Sequence, residues 1–222
     1  MFPLEPHDIV PPMSRRFLWS LLAWLALFAA LFANVWKGRG AILFWDEVCY
    51  VGQARFIASH FFDFAAYRNL VFVRPPLFTG TLALLIHDLP SLGPAIATLR
   101  IVTCAIGLLL LPLIFALCRQ LGGRPRAAWL AVGLCAICPI YITQLSLVLS
   151  DVPAAVLSTS AWLLLLRRRV GAFVIVSTLA VLTKESAYFL CAPTLVLLWW
   201  RGGRTPRALW PALWPGFVLF LW

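Results

Sequence analysis

Acidic residues are scarce in this chain: eight Asp and Glu among 222 residues, against 18 Lys and Arg, and only 12% of the sequence is charged at all. Soluble domains carry about 25% charged residues, so this chain has too little polar surface to cover a soluble globule. A disordered tail would need still more charge and fewer apolar residues. Histidine is nearly absent too. His7, His60 and His87 stand at no metal-ligand spacing, so no zinc site is expected. There is no internal repeat and no low-complexity linker, which argues against a transporter assembled from inverted repeats. What the chain does have is apolar mass: 63% of its residues are hydrophobic and its mean hydropathy is +0.93. The net charge of +10 does not make it a nucleic-acid binder. Such proteins gather basic residues on an exposed face, whereas here they punctuate apolar runs.

A helix crosses the hydrocarbon core with about 20 predominantly apolar residues. Phe17 to Trp36 supplies them without one charge, and it is too long and too poor in cleavage signals for a signal peptide. Further runs follow at Ile101 to Cys118, Ala127 to Ser150, Val152 to Leu166, Val170 to Thr183, Ser186 to Trp200 and Ala208 to Trp222. The expected fold is all-α: a polytopic transmembrane helix bundle of about six or seven membrane helices, some of them short. Residues 1–16 form a cytoplasmic tail and 17–222 the membrane domain. Five of the six cysteines lie in or beside these runs and read as small buried hydrophobes, the Cys135–Cys138 spacing included.

Lys and Arg collect in cytoplasmic loops. Placing 1–16, 119–126, 167–169 and 201–207 inside gives that side eleven basic and two acidic residues, and leaves seven basic and six acidic elsewhere. Residues 37–99 then become one long external loop. Within it Asp46 to His60 and Pro75 to Asp88 are expected as two amphipathic helices at the membrane surface. All six acidic residues beyond the tail, Asp46, Glu47, Asp63, Asp88, Asp151 and Glu185, fall on the external side. Carboxylates beside a membrane are costly and mark sites.

Three stretches carry chemistry. Trp45-Asp46-Glu47-Val48-Cys49-Tyr50 opens the first loop helix; Asp46 suits an N-cap, and a helix start is also a well-fixed platform for a carboxylate base. Arg74-Pro75-Pro76 sets an arginine before a stiff helix start, where it either snorkels or grips a phosphate bidentately. Asp151-Val152-Pro153 and Thr183-Lys184-Glu185-Ser186 are two external turns. The runs flanking Lys184 are too short for a full crossing, so that turn is expected below the outer surface, in a protein-lined or watery cavity; a paired structural Lys–Glu stub is the plain alternative. A base beside phosphate-gripping cations suits transfer from a lipid phosphate. On these grounds alone the chain is a membrane-embedded transferase or a lipid-binding protein.

The order of these features resembles the GT-C superfamily of polyprenyl-phosphate-dependent glycosyltransferases, and within it the protein O-mannosyltransferases and the lipid A aminoarabinose or galacturonic acid transferases. The resemblance rests on Asp46-Glu47 with Tyr50, Arg74-Pro75-Pro76-Leu77, Ser150-Asp151-Val152-Pro153 and Leu182-Thr183-Lys184-Glu185, with Arg100 and Cys118-Arg119-Gln120-Leu121-Gly122 filling the spacing. It implies inverting transfer of a sugar from a polyprenyl-phosphate donor to an acceptor hydroxyl. Asp46 would be the general base and Glu47 its support. Arg74, where relatives often have Lys, would bind the donor phosphate with Lys184. Asp151, Tyr50 and Glu185 would line the acceptor side of the cavity. No cofactor is implied, and participation of a divalent cation stays open. The acceptor would be an envelope glycan, lipid or protein, and the setting a bacterial-type plasma (inner) membrane with the site facing outward. Full-size relatives are roughly twice as long, so the chain is expected to represent the N-terminal half of the family's fold, as a fragment or beside a second membrane chain. A non-catalytic subunit binding polyprenyl phosphate or a partner is the alternative.

Overall fold

A computed structural model describes residues 15–38, 45–60, 63, 75–89, 91–200 and 205–221. Every element among them is helical and none is a strand. In order they are α1 (Arg15–Gly38), α2 (Trp45–Ser59), α3 (Pro76–Ile86), α4 (Leu92–Leu108), α5 (Leu110–Gln120), α6 (Pro125–Ala136), α7 (Pro139–Leu145), α8 (Asp151–Leu166), α9 (Val170–Thr183), a 3-10 segment Glu185–Leu190, α10 (Cys191–Trp200) and α11 (Pro206–Leu221). Two helices are long and apolar enough to cross a bilayer unaided, Leu18–Gly38 and the nearly continuous Leu92–Gln120. The bent α6–α7 pair makes a third if it counts as one span, and four shorter apolar helices accompany them. The chain is therefore built as an integral membrane protein.

Two runs that read as single helices are divided. Ala127 to Ser150 breaks into α6 and α7, bent by 65°. The cause is Pro139, which has no N–H to donate and forces Cys138 before it into extended backbone (ψ 119°). The stretch 146–150 then leaves helix altogether. Ser186 to Trp200 likewise begins as the 3-10 segment before α10 takes over. In the other direction, α4 starts at Leu92, inside the stretch expected as loop, so Arg100 lies within a helix and not ahead of one.

The core has two main parts. One joins α1, α4, α5, α6, α7 and α8 around Val35, Cys104, Leu111, Val132, Leu145 and Val156. Aromatic rings extend it: Trp24 of α1 and Trp129 of α6 stand 4.7 Å apart, with Phe115 of α5 against both. Gly107 permits the closest approach. A Cβ there would come within 2.3 Å of Leu145 Cδ2 and 2.8 Å of Val152 Cγ1, and its carbonyl accepts a 2.9 Å hydrogen bond from Tyr141 Oη. The second part holds α2 and α3 against the start of α4 through Tyr50, Val51, Phe78, Leu82, Leu99 and Val148. Both loop helices expected from the sequence thus form, each with one face buried. Outward residues such as Trp19, Leu25, Leu130 and Ile140 are apolar and exposed, as they must be on helices that face hydrocarbon.

Candidate functional site

Four consecutive residues, Val148 to Asp151, organise one end of the bundle. Pro139 and the non-helical stretch after Leu145 deliver them there, and α8 starts directly behind them. Val148 donates its backbone N–H to Glu47 Oε1 at 3.0 Å. Ser150 Oγ and Tyr50 Oη share a buried hydrogen bond of 2.6 Å. Asp151 Oδ1 accepts a hydrogen bond from Lys184 Nζ. One short segment therefore ties the first turns of α2 to the junction between α9 and the 3-10 segment.

Glu47 is the fixed point. It is fully buried, as is Arg100, and the two form a bidentate pair: Arg100 Nε to Glu47 Oε1 and Nη2 to Oε2, both 2.7 Å. Arg100 Nη1 donates a further hydrogen bond of 3.0 Å to the carbonyl of Gly38 at the end of α1. A charge pair survives such burial only with tight geometry and satisfied hydrogen-bonding groups. This one has both, and it clamps α1, α2, α4 and the 148–151 segment together. In this arrangement Glu47 holds the site and does not face it.

Asp46, one residue before, is exposed in the first turn of α2. Tyr50 stands one turn further along, about 6 Å at 1.5 Å per residue, buried where Asp46 is exposed. Its carboxylate is open to a ligand and sits where the helix dipole favours negative charge.

Asp151 and Lys184 line a cavity of about 350 Å³ together with Ser158, Ser186 and Phe189. Lys184 is in extended backbone (φ −152°, ψ 130°), breaking the chain between α9 and the 3-10 segment. Its side chain is mostly buried, while that of Asp151 is 42% exposed. An ammonium has three donors, so Lys184 can serve Asp151 and a second anion. Glu185 opens the 3-10 segment beside it, half-buried. Arg74 lies outside the described residues. Among those described, no group of three His, Cys, Asp or Glu is placed to hold a metal ion.

A second cavity, about 370 Å³ and almost wholly apolar, lies on the other face of α8: Pro153, Val156 and Leu157 line it, while Asp151, Ala154, Ala155 and Ser158 line the first. Pro153 of α8 and Thr183 of α9 border it, and Leu82, Val102, Ile106 and Leu157 continue it down the bundle. Thr103 also lines it; its Oγ1 is buried with no hydrogen-bond partner among the described residues. Sequence reasoning used Arg100 only as a spacing mark and missed Ser150 as Tyr50's partner. A lone arginine in an apolar helix, with an uncommitted glutamate elsewhere, was the available signal for the first. Nothing in the local sequence marks the second.

The family model for dolichyl-phosphate-mannose-protein mannosyltransferase matches residues 87–203. That stretch contains Arg100, Val148 to Asp151 and Lys184. No curated protein and no solved structure gives a match.

Proposed function

We propose that this chain, which belongs to the dolichyl-phosphate-mannose-protein mannosyltransferase family, moves a sugar from a polyprenyl-phosphate donor to an acceptor hydroxyl at the end of the bundle that holds the first turns of α2 and the Asp151–Lys184 pair. The observation that carries the reading is the 148–151 segment, which joins the helix bearing Asp46 to the Asp151–Lys184 pair through Glu47 and Tyr50. In the proposed reaction the carboxylate of Asp46 takes the proton of the acceptor hydroxyl. The freed oxygen attacks the anomeric carbon from the face opposite the phosphate, the bond from that carbon to the phosphate oxygen breaks, and the sugar is inverted. Polyprenyl phosphate leaves with the bonding electrons. A phosphate leaving group needs cationic stabilisation more than a proton, which is the part of Lys184, with Arg74 from the stretch just before α3. Glu47 and Arg100 are positioning residues, keeping α2 in register with the segment. Tyr50, Asp151 and Glu185 border the space for the acceptor.

The apolar groove supports a lipid-linked donor, because it offers about 370 Å³ of almost wholly apolar lining for the first isoprene units, and Thr183 on its border is next in sequence to Lys184. The charge distribution supports an outward-facing site. Asp46, Glu47, Asp151 and Glu185 belong to the end with Lys184, and the α5–α6 and α8–α9 turns are rich in arginine.

Lys184→Ala is expected to raise the KM for a polyprenyl-phosphate sugar by roughly ten- to a hundredfold, the range of one charge-assisted hydrogen bond. Lys184→Arg should recover part of that loss. Steady-state transfer of radiolabelled sugar by the full chain in proteoliposomes reads both. A wild-type KM in Lys184→Ala would remove this lysine from donor binding.

A further inference from the structure

The end of the bundle away from Asp151 and Lys184 carries charge of one sign. The α5–α6 and α8–α9 turns both lie there, since α5 packs along α6 and α8. Arg119, Arg124, Arg126, Arg167, Arg168 and Arg169 are all exposed. Arg119 Nη1 donates a hydrogen bond of 2.9 Å to the carbonyl of Gly123. The acidic residues among the described ones all belong to α2 and its flank, the α3–α4 connection, and the starts of α8 and the 3-10 segment. Six guanidinium groups thus share one surface with no carboxylate among the described residues placed to neutralise them.

The backbone of the two turns sharpens the point. Both close in the same way. After α5, Gly123 N–H bonds to Cys118 O and Gly122 N–H to Arg119 O; after α8, Arg169 N–H bonds to Leu164 O and Arg168 N–H to Leu165 O. This helix stop puts one residue in left-handed backbone, where glycine is favoured. In the first turn that residue is Gly122 (φ 85°), and in the second it is Arg168 (φ 60°). The α8–α9 turn therefore keeps a third arginine at the one position where a glycine would relieve strain. Next to these charges stand exposed Leu121, Leu130 and Val170.

We propose that this end is a binding surface for anionic phospholipid headgroups, centred on Arg167, Arg168 and Arg169. Guanidinium groups grip a phosphodiester through paired N–H donors, and the exposed apolar residues meet the acyl chains below. Each arginine at such a surface contributes about fivefold in preference for anionic lipid. The binding is independent of the sugar-transfer reaction at the other end.

The full chain in detergent, with phosphatidylglycerol or phosphatidylcholine added, tests this by native mass spectrometry of retained lipid and by thermal unfolding. Arg168→Gly should reduce the preference for phosphatidylglycerol about fivefold while unfolding at a higher temperature, because the left-handed position is relieved. Binding and stability then move in opposite directions, which a purely structural role for Arg168 would not produce. Arg167→Gln combined with Arg169→Gln, which leaves the turn's backbone bonds in place, should lose roughly twenty-fivefold. An unchanged preference in that double variant overturns the proposal whatever the single variant does. So does inorganic phosphate that stabilises the wild type as well as phosphatidylglycerol.

Discussion

Arg100→Ala should lower the unfolding free energy by about 3–5 kcal/mol, because it leaves the Glu47 carboxylate buried without its partner. Removing the guanidinium deprives Glu47 of two hydrogen bonds of 2.7 Å and Gly38 of one of 3.0 Å. Only the Val148 N–H would remain to Glu47 of the contacts described above, in surroundings where Arg100 and Glu47 are 1% and 0% exposed. Arg100→Lys should recover little. An ammonium is a point charge and cannot reproduce the two parallel contacts of a guanidinium with one carboxylate. Replacing both partners by apolar residues, Glu47→Leu with Arg100→Leu, should cost far less than Arg100→Ala alone, since no unpaired charge is then buried. Thermal unfolding of the detergent-solubilised chain measures all three. If Arg100→Ala unfolds like the wild type, the pair is not the clamp described above.

Asp46→Asn has the opposite profile. The side chain is exposed, so the fold should lose little, about 0.3–1 kcal/mol for giving up a negative charge in the first helical turn. Turnover should fall by about 10²- to 10⁴-fold, the usual contribution of a positioned general base. The KM for the donor should change little, because an amide keeps the shape and loses only the ability to accept the acceptor's proton. Glu47→Gln should lower turnover as well, but together with the unfolding temperature, and that pairing of effects distinguishes a residue that holds the site from one that reacts. Undiminished turnover in Asp46→Asn would exclude it as the base.

Much of the bundle is legible in the sequence because membrane insertion is a local property. Twenty apolar residues declare a span wherever they occur, and α9 runs from Val170 to Thr183 as the composition implies. α2 and α3 also form where the interrupted hydropathy of the long loop places them. Local reasoning fails where distant residues compensate each other. Arg100 looks like a helix boundary because a charge in an apolar run is costly; Glu47, 53 positions away, removes that cost and lets α4 start at Leu92. The bond between Tyr50 and Ser150 spans 100 positions, and neither residue advertises it. Pro139 was visible, but whether a proline kinks a span or divides it depends on what packs around the freed carbonyls. Here the chain stays non-helical after Leu145, and that departure delivers Asp151 to Lys184. For the site, residue types and order were readable; the division between an exposed Asp46 and a buried Glu47 was not, since neighbouring carboxylates differ only in which way the helix turns them.

The most direct test is to locate the lipid. A photoreactive polyprenyl phosphate, activated on the full chain in membranes and mapped by mass spectrometry, should mark the groove bordered by Leu82, Ile106, Leu157 and Thr183. Unlabelled polyprenyl phosphate should compete, and Lys184→Ala should weaken the labelling. A larger apolar recess of about 650 Å³, lined by Leu195, Val196, Trp199, Trp200 and Leu209, lies at the far end of α10. Labelling confined to that recess, or labelling of the groove that neither competes nor responds to Lys184, would contradict the assignment of a lipid-phosphate donor to the Asp151–Lys184 end.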